Sequence, residues 1–119
     1  MRNFPRPPTE AELGLIEWLL TEAAVVPDIA PLMAQVPELE IVGCCKCGCP
    51  SVDFIADAQA KGATMVADAQ GKSPEGVAIG ILLWQREGRL ASLEVYGYET
   101  HPYSLPRPED LSPAFPAVG

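Results

Sequence analysis

With 119 residues, 48% of them hydrophobic, the chain has apolar surface enough for one core, and neither disorder nor a second domain is expected. Its formal net charge of −8, with Lys and Arg scattered along the chain, excludes a phosphate-binding surface and so a nucleic-acid partner. Such a charge keeps a small domain soluble and favours a basic protein as partner.

The opening MRNFPRPP carries charge but no apolar stretch of the signal-peptide kind. No later run approaches a membrane span. The expected setting is cytoplasmic, with no membrane partner. Prolines in residues 1–8 make them an extended arm. Thr9 and Glu12 then form a T-x-x-E capping box ahead of an apolar run. Leu13, Ile16, Leu20 and Ala23 recur at helical spacing, and Leu15, Trp18 and Leu19 widen the stripe. This predicts a helix over 9–24 lying on the core. Glu10, Glu12 and Glu17 occupy its first half, where the helix dipole favours negative charge. Pro27 ends it. Asp28 is placed to cap a short second helix, with Pro31 in its first turn and Pro37 as its stop. Ile29, Leu32, Met33 and Val36 form the apolar face of that helix.

From Leu39 the period becomes two. LEIVGCC predicts a strand with Leu39, Ile41, Gly43 and Cys45 on one face, continued by Cys47 and Cys49 unless Gly48 and Pro50 turn the chain. Ser51–Ala56 reads as a second strand with Val52, Phe54 and Ala56 inward. A third is expected around Thr64–Ala69, and Gly71–Gly76 reads as a loop. Val77–Gln85 and Leu90–Tyr98 are the longest strand patterns, joined by Arg86-Glu87-Gly88-Arg89 with Gly88 where a positive φ is wanted. Val77, Ile79, Ile81 and Leu83 alternate on one side, facing Leu93 and Val95. Ala78, Gly80, Leu82 and Trp84 are apolar too, which predicts a central strand covered on both faces and is compatible with a homodimer burying the second. From Glu99 onward the chain is proline-rich and without period, an ordered wrap followed by a free end. The fold class is therefore α+β: an N-terminal helix pair packed on an antiparallel sheet of four to five strands that ends in a long hairpin. Its parts are an arm over 1–8, one domain over 9–106 and a proline-rich tail over 107–119.

All four cysteines, Cys44, Cys45, Cys47 and Cys49, fall within Gly43–Phe54. In a cytoplasmic chain they read as reduced thiols, and neighbours this close along an extended segment make poor disulfide partners. Thiolates are soft ligands suited to Zn(II) or Cu(I). Cys45, Cys47 and Cys49 can face one ion if the chain curls at Gly48, with His101, the only histidine, as fourth ligand. The alternative is packing, since buried free cysteine behaves as a small hydrophobe. A reactive thiol needs a base or a positive field, for which Lys46 and His101 are the candidates in type.

Asp53 with Glu94, and Asp57 with Asp68, have the composition of acid–base pairs but equally that of solvated sheet edges. GKSPEG lacks the glycine spacing of a phosphate loop. Tyr96 and Tyr98 stand two apart on one strand and share a face with Ser92 and Glu94, while Trp84 lies one strand away. Glu94, Tyr96, Tyr98 and Tyr103 are the candidate partner-binding residues, because Tyr and Trp anchor interfaces. Proline from the tail is the competing cover.

The C-x-C-G-C-P-S-V run of Cys45–Val52 resembles a motif of small bacterial proteins that also carry a capped N-terminal helix, an acidic character and a late hairpin like Leu93-Glu94-Val95-Tyr96. The similarity spans Thr9–Pro106. It implies a bacterial origin and these domain boundaries, and it brings no activity and no catalytic residues.

Three readings of function remain. The first is a non-catalytic interaction module of inhibitor or immunity type, binding a basic protein. The second is a thiolate metal-binding protein using the Cys44–Cys49 cluster. The third is a cysteine-dependent redox enzyme. No catalytic motif supports the last.

Overall fold

The computed structural model describes residues 4–44, 49–58, 61–98 and 102–114. Helix α1 (Glu10–Glu22) begins with the expected capping box. The Thr9 hydroxyl accepts from the Glu12 amide at 3.1 Å, and the Thr9 amide donates to Glu12 Oε1 at 2.8 Å. Leu15, Ile16, Leu19 and Leu20 are wholly buried, as the stripe requires. The second helix is shorter than its apolar face suggests. It is a single turn, α2 (Ala30–Met33), followed by a 3₁₀ turn over Val36–Glu38. Pro37 lies inside that turn instead of stopping the helix, because the first positions of a helical turn need no N–H. Between the two, Gln35 donates to the Gly88 carbonyl at 2.8 Å and accepts from the Leu90 amide at 2.9 Å, pinning the hairpin turn to this corner.

The sheet contains six strands among the described residues, where four to five are expected from pattern. They are β1 (Gly43–Cys44), β2 (Val52–Asp53), β3 (Ala63–Lys72), β4 (Ala78–Arg86), β5 (Arg89–Gly97) and β6 (Leu111–Pro113). Their order across the sheet is β1-β2-β5-β4-β3-β6, and every pairing is antiparallel. The β4–β5 turn has positive φ at both Glu87 (53°) and Gly88 (80°), the two-residue geometry that matches strand twist. Gly71 and Lys72 belong to β3, so the expected loop shrinks to the turn around Ser73–Val77. There the Ser73 amide donates to the Val77 carbonyl at 2.9 Å.

The strand expected over 39–45 breaks its frame. Ile41 pairs with Arg6 and points into the core, but Gly43 pairs with Asp53 and Cys44 with Val52. Directly opposed residues share a face, so Cys44, not Gly43, takes the inward side. The chain changes hydrogen-bonding partner at Val42, and the alternation slips by one residue there. Similarly, Val52 and Phe54 are buried as expected but Ala56 is exposed, since β2 stops at Asp53 and the chain turns.

β6 has no periodic signal, and three residues within a proline-rich segment provide none. Its partner makes it a strand. Leu111 sits opposite Gly71, where any Cβ would fall on the Asp110 carbonyl oxygen and within 3.1 Å of Leu111 Cα. The segment leading to β6 is tied down by Glu75, which accepts from the Ser104 amide at 2.9 Å and also from the Ser104 hydroxyl. Those bonds hold the Glu75 carboxyl down at about 2.

One face of the sheet carries the core. Val52, Ala67, Ala69, Ile79, Ile81, Leu83, Leu93 and Val95 join the α1 side chains in one cluster. The opposite face carries Met65, Asp68, Ala78, Leu82, Trp84, Glu94 and Tyr96, all exposed or half-buried. A small satellite cluster of Ile55, Ala58 and Ala91 meets Trp84 at the hairpin end. The expected cover on both faces of β4 is thus absent among the described residues. No helix of the described residues is long and apolar enough to cross a membrane.

Candidate functional site

Strand pairing assembles the outer face in rows. Leu82 of β4 stands between Glu94 of β5 and Asp68 of β3. The next row along is Tyr96, Gly80 and Gln70, and the row before is Ser92, Trp84 and Met65. The Trp84 indole N–H donates to Glu94 Oε1 at 3.0 Å, which fixes both side chains across the two strands. Tyr96 lies over Gly80: a Cβ on Gly80 would stand 2.7 Å from Tyr96 Cε2. Here glycine leaves a seat for a ring. Tyr98 meets that ring edge-on, with centroids 5.5 Å apart and planes at 80°, and its hydroxyl reaches the Tyr96 hydroxyl at 3.5 Å. Tyr98 is 61% exposed, the most open large apolar side chain among the described residues.

Electrostatically the face is acidic. Asp53, Asp68 and Glu94 lie on it, while the cations of the paired rows stand at its two ends, Lys72 at one and Arg86 and Arg89 at the hairpin turn. Burial raises the Asp68 carboxyl above its ordinary range, and among the described residues it has no ion pair. The Tyr96 hydroxyl is pushed up to about 12, first by its hydrogen bond with Tyr98, then by burial and by the charges of Asp68 and Glu94.

Of the candidate partner-binding residues, Glu94, Tyr96 and Tyr98 therefore stand together. Tyr103 does not join them. It packs on the core side, against Gly97, with its hydroxyl donating to the Val95 carbonyl at 3.3 Å. Asp53 and Glu94 do share the outer face, whereas Asp57 is bound to Arg86 at 2.6 Å, at the hairpin end and away from the row of Asp68. Leu82 and Gly80 carry no motif that marks them as site residues. Their signal is the alternation Ala78-Gly80-Leu82-Trp84, which reads equally as buried strand, and Asp68 enters the sequence reading only as a partner for Asp57.

A second concavity, of about 640 Å³, opens on the core side at the N-terminus of α1. Cys44, Cys49, Arg6, Glu12 and Tyr103 line it. The Cys49 thiol donates to the Ser51 hydroxyl at 3.3 Å, and Ser51 extends the β2–β5 ladder by accepting from the Val95 amide at 2.8 Å. Arg6 clasps the buried Glu12 carboxylate with both terminal nitrogens, at 2.9 and 3.0 Å. Burial pushes the Glu12 carboxyl up, but the bonds from Arg6 and Thr9 outweigh it and hold the group below its ordinary range. The same bond raises Arg6. With its guanidinium neutralised in this way, the cleft presents two thiols and no open positive charge among the described residues that line it. Cys44 and Cys49 are the described thiols able to contribute to a soft-metal site. Cys45, Cys47 and His101 of the predicted ligand set, and Lys46, lie outside the described residues. Among the described residues no group of three or more metal-ligating side chains occurs.

The Arg6–Glu12 clasp ties the arm to the helix cap. Glu12→Ala is expected to cost about 2–3 kcal/mol, by losing a cap and leaving a cation without its partner. Because the folded-state carboxyl is lowered, its contribution is complete above the ordinary glutamate pKa of about 4.3 and is lost as the pH falls through the lower native value. Urea unfolding of the two proteins should therefore differ most near pH 7 and converge toward pH 3. A gap that persists in acid would show that the clasp contributes packing and not charge.

Comparison with protein-family models, with curated proteins and with solved structures gives no match.

Proposed function

We propose that this protein is a non-catalytic interaction module that binds a basic protein on the open face of its sheet, in a cytoplasmic setting. The observation that carries the reading is that face: an aromatic and aliphatic floor of Leu82, Trp84, Tyr96 and Tyr98 edged by Asp53, Asp68 and Glu94, with the main core and α1 on the opposite side and the small Ile55–Ala58–Ala91 cluster meeting Trp84 at the hairpin end. Three long strands of nine or ten residues make a flat area on the order of 400 Å² at ordinary strand spacings. That is the size at which an exposed patch on a monomer is often functional. Tyr and Trp supply rigid contact area there at low entropic cost, and the carboxylates select a positive partner. A second copy of the chain is the competing occupant. The acidity of the face and the net charge of −8 oppose it at neutral pH.

The test is binding of whatever basic proteins neighbouring genes encode, measured by calorimetry with the full chain. The expected result is one partner whose dissociation constant rises about tenfold or more between about 0.05 and 0.5 M salt, and which is lost with Asp68→Lys/Glu94→Lys but kept with Cys44→Ser. Binding that ignores salt and the charge reversal would overturn the reading. So would a concentration-dependent dimer that buries Trp84 while no basic protein binds.

A further inference from the structure

Resting on that reading, we infer that the row Asp68–Leu82–Glu94 is a seat for an arginine side chain presented by the partner, with the guanidinium lying over Leu82 and bonding a carboxylate on each side. The two carboxylates rise from strands on either side of β4, so their backbones stand about 10 Å apart, two strand spacings. A planar guanidinium with a charge-assisted hydrogen bond of roughly 2.8 Å on each edge fills such a gap. An ammonium is a point charge and can satisfy one side at a time.

The walls of the seat are already built. Trp84 takes Glu94 Oε1 and leaves Oε2 for an incoming donor. Asp68 has no side-chain hydrogen bond or ion pair among the described residues, and its desolvated carboxyl lacks the cation that would stabilise it. On one side of the row stands Trp84. On the other lies Tyr96, which the missing side chain of Gly80 lets settle onto the sheet and which Tyr98 braces edge-on. Aromatic rings flank the row on both sides, a setting that favours the flat, weakly hydrated guanidinium over a compact ammonium. Leu82 closes the floor with apolar surface against which the aliphatic stem of an arginine can lie.

The experiment is an NMR titration of the full chain with N-acetylarginine amide, N-acetyllysine amide and the uncharged isostere N-acetylcitrulline amide. The arginine probe should move the Trp84 indole N–H and the Leu82 methyl signals with millimolar affinity, and about threefold or more tighter than the lysine probe. The citrulline probe should leave both signals in place. Asp68→Asn and Glu94→Gln should each weaken the arginine probe about fivefold to tenfold. Gly80→Ala should weaken it with no change of charge, by lifting Tyr96 from its seat. Equal shifts from arginine and citrulline, or no shift at Leu82 in the wild-type chain, would overturn the seat. If a basic protein still binds in a salt-dependent way when the probe fails, the seat is wrong and the interaction reading survives. If the probe fills the seat but no basic protein binds, the seat stands and that reading falls.

Discussion

Leu83→Ala should lower the stability of the fold by about 2–5 kcal/mol, while Leu82→Ala, one residue away, should cost about 1 kcal/mol or less. Both residues are leucines on the central strand β4, with the same backbone and the same propensity. They differ in the face they occupy. Leu83 is wholly buried, opposite Leu93 on one side and Ala67 on the other, and its removal leaves a cavity that the packed core closes only in part. Leu82 is half-buried between Asp68 and Glu94, so water fills what the truncation vacates. Urea denaturation at two protein concentrations measures both costs. Nearly equal costs, with a midpoint that rises with concentration, would mean that a second copy covers the outer face in solution. That outcome would also remove the surface on which the proposed partner docks.

Gly71→Ala should detach β6 at a cost of about 2–3 kcal/mol, most of it the lost burial of Leu111. The glycine matters here because of what faces it. A Cβ at 71 meets the carbonyl oxygen of Asp110 and the backbone of Leu111, and backbone atoms cannot rotate aside as a side-chain tip can. The strain is relieved only by moving β6 off the edge of β3, which uncovers the backbone groups that Ala69–Gly71 now share with Leu111–Pro113. Amide exchange should quicken in β3 at its β6-facing positions and stay slow in β5. The control is Gly14→Ala in α1, whose Cβ meets nothing within 4 Å and which should stabilise by about 0.5–1 kcal/mol. A neutral Gly71→Ala would mean that β6 is not docked in solution.

Local chemistry was enough to set the parts of this fold that depend on neighbours in the chain. The Thr9–Glu12 box, the buried stripe of α1, the two-residue turn at Glu87-Gly88 and the inward row Ile79, Ile81, Leu83 all follow from spacing, because capping, helical periodicity, turn geometry and strand alternation are short-range rules. The pairing of Tyr96 with Tyr98, and of both with Glu94 on one face, is legible for the same reason.

Whatever depends on a distant partner was settled by tertiary structure. β6 exists because Gly71 leaves room for it, not because Leu111–Pro113 has strand character. Cys44 turns inward because the chain passes from Arg6 to Asp53 as partner at Val42, a switch invisible in LEIVGCC. Tyr103 leaves its tyrosine neighbours for the core side because Gly97 offers it a place there. The outer row of β4 is apolar enough to be buried, and only the placement of α1 on the other face leaves it open. Alternation fixes which residues share a face, but which face is covered is a property of the whole chain, since it depends on where the one long helix finds the larger apolar area to bury.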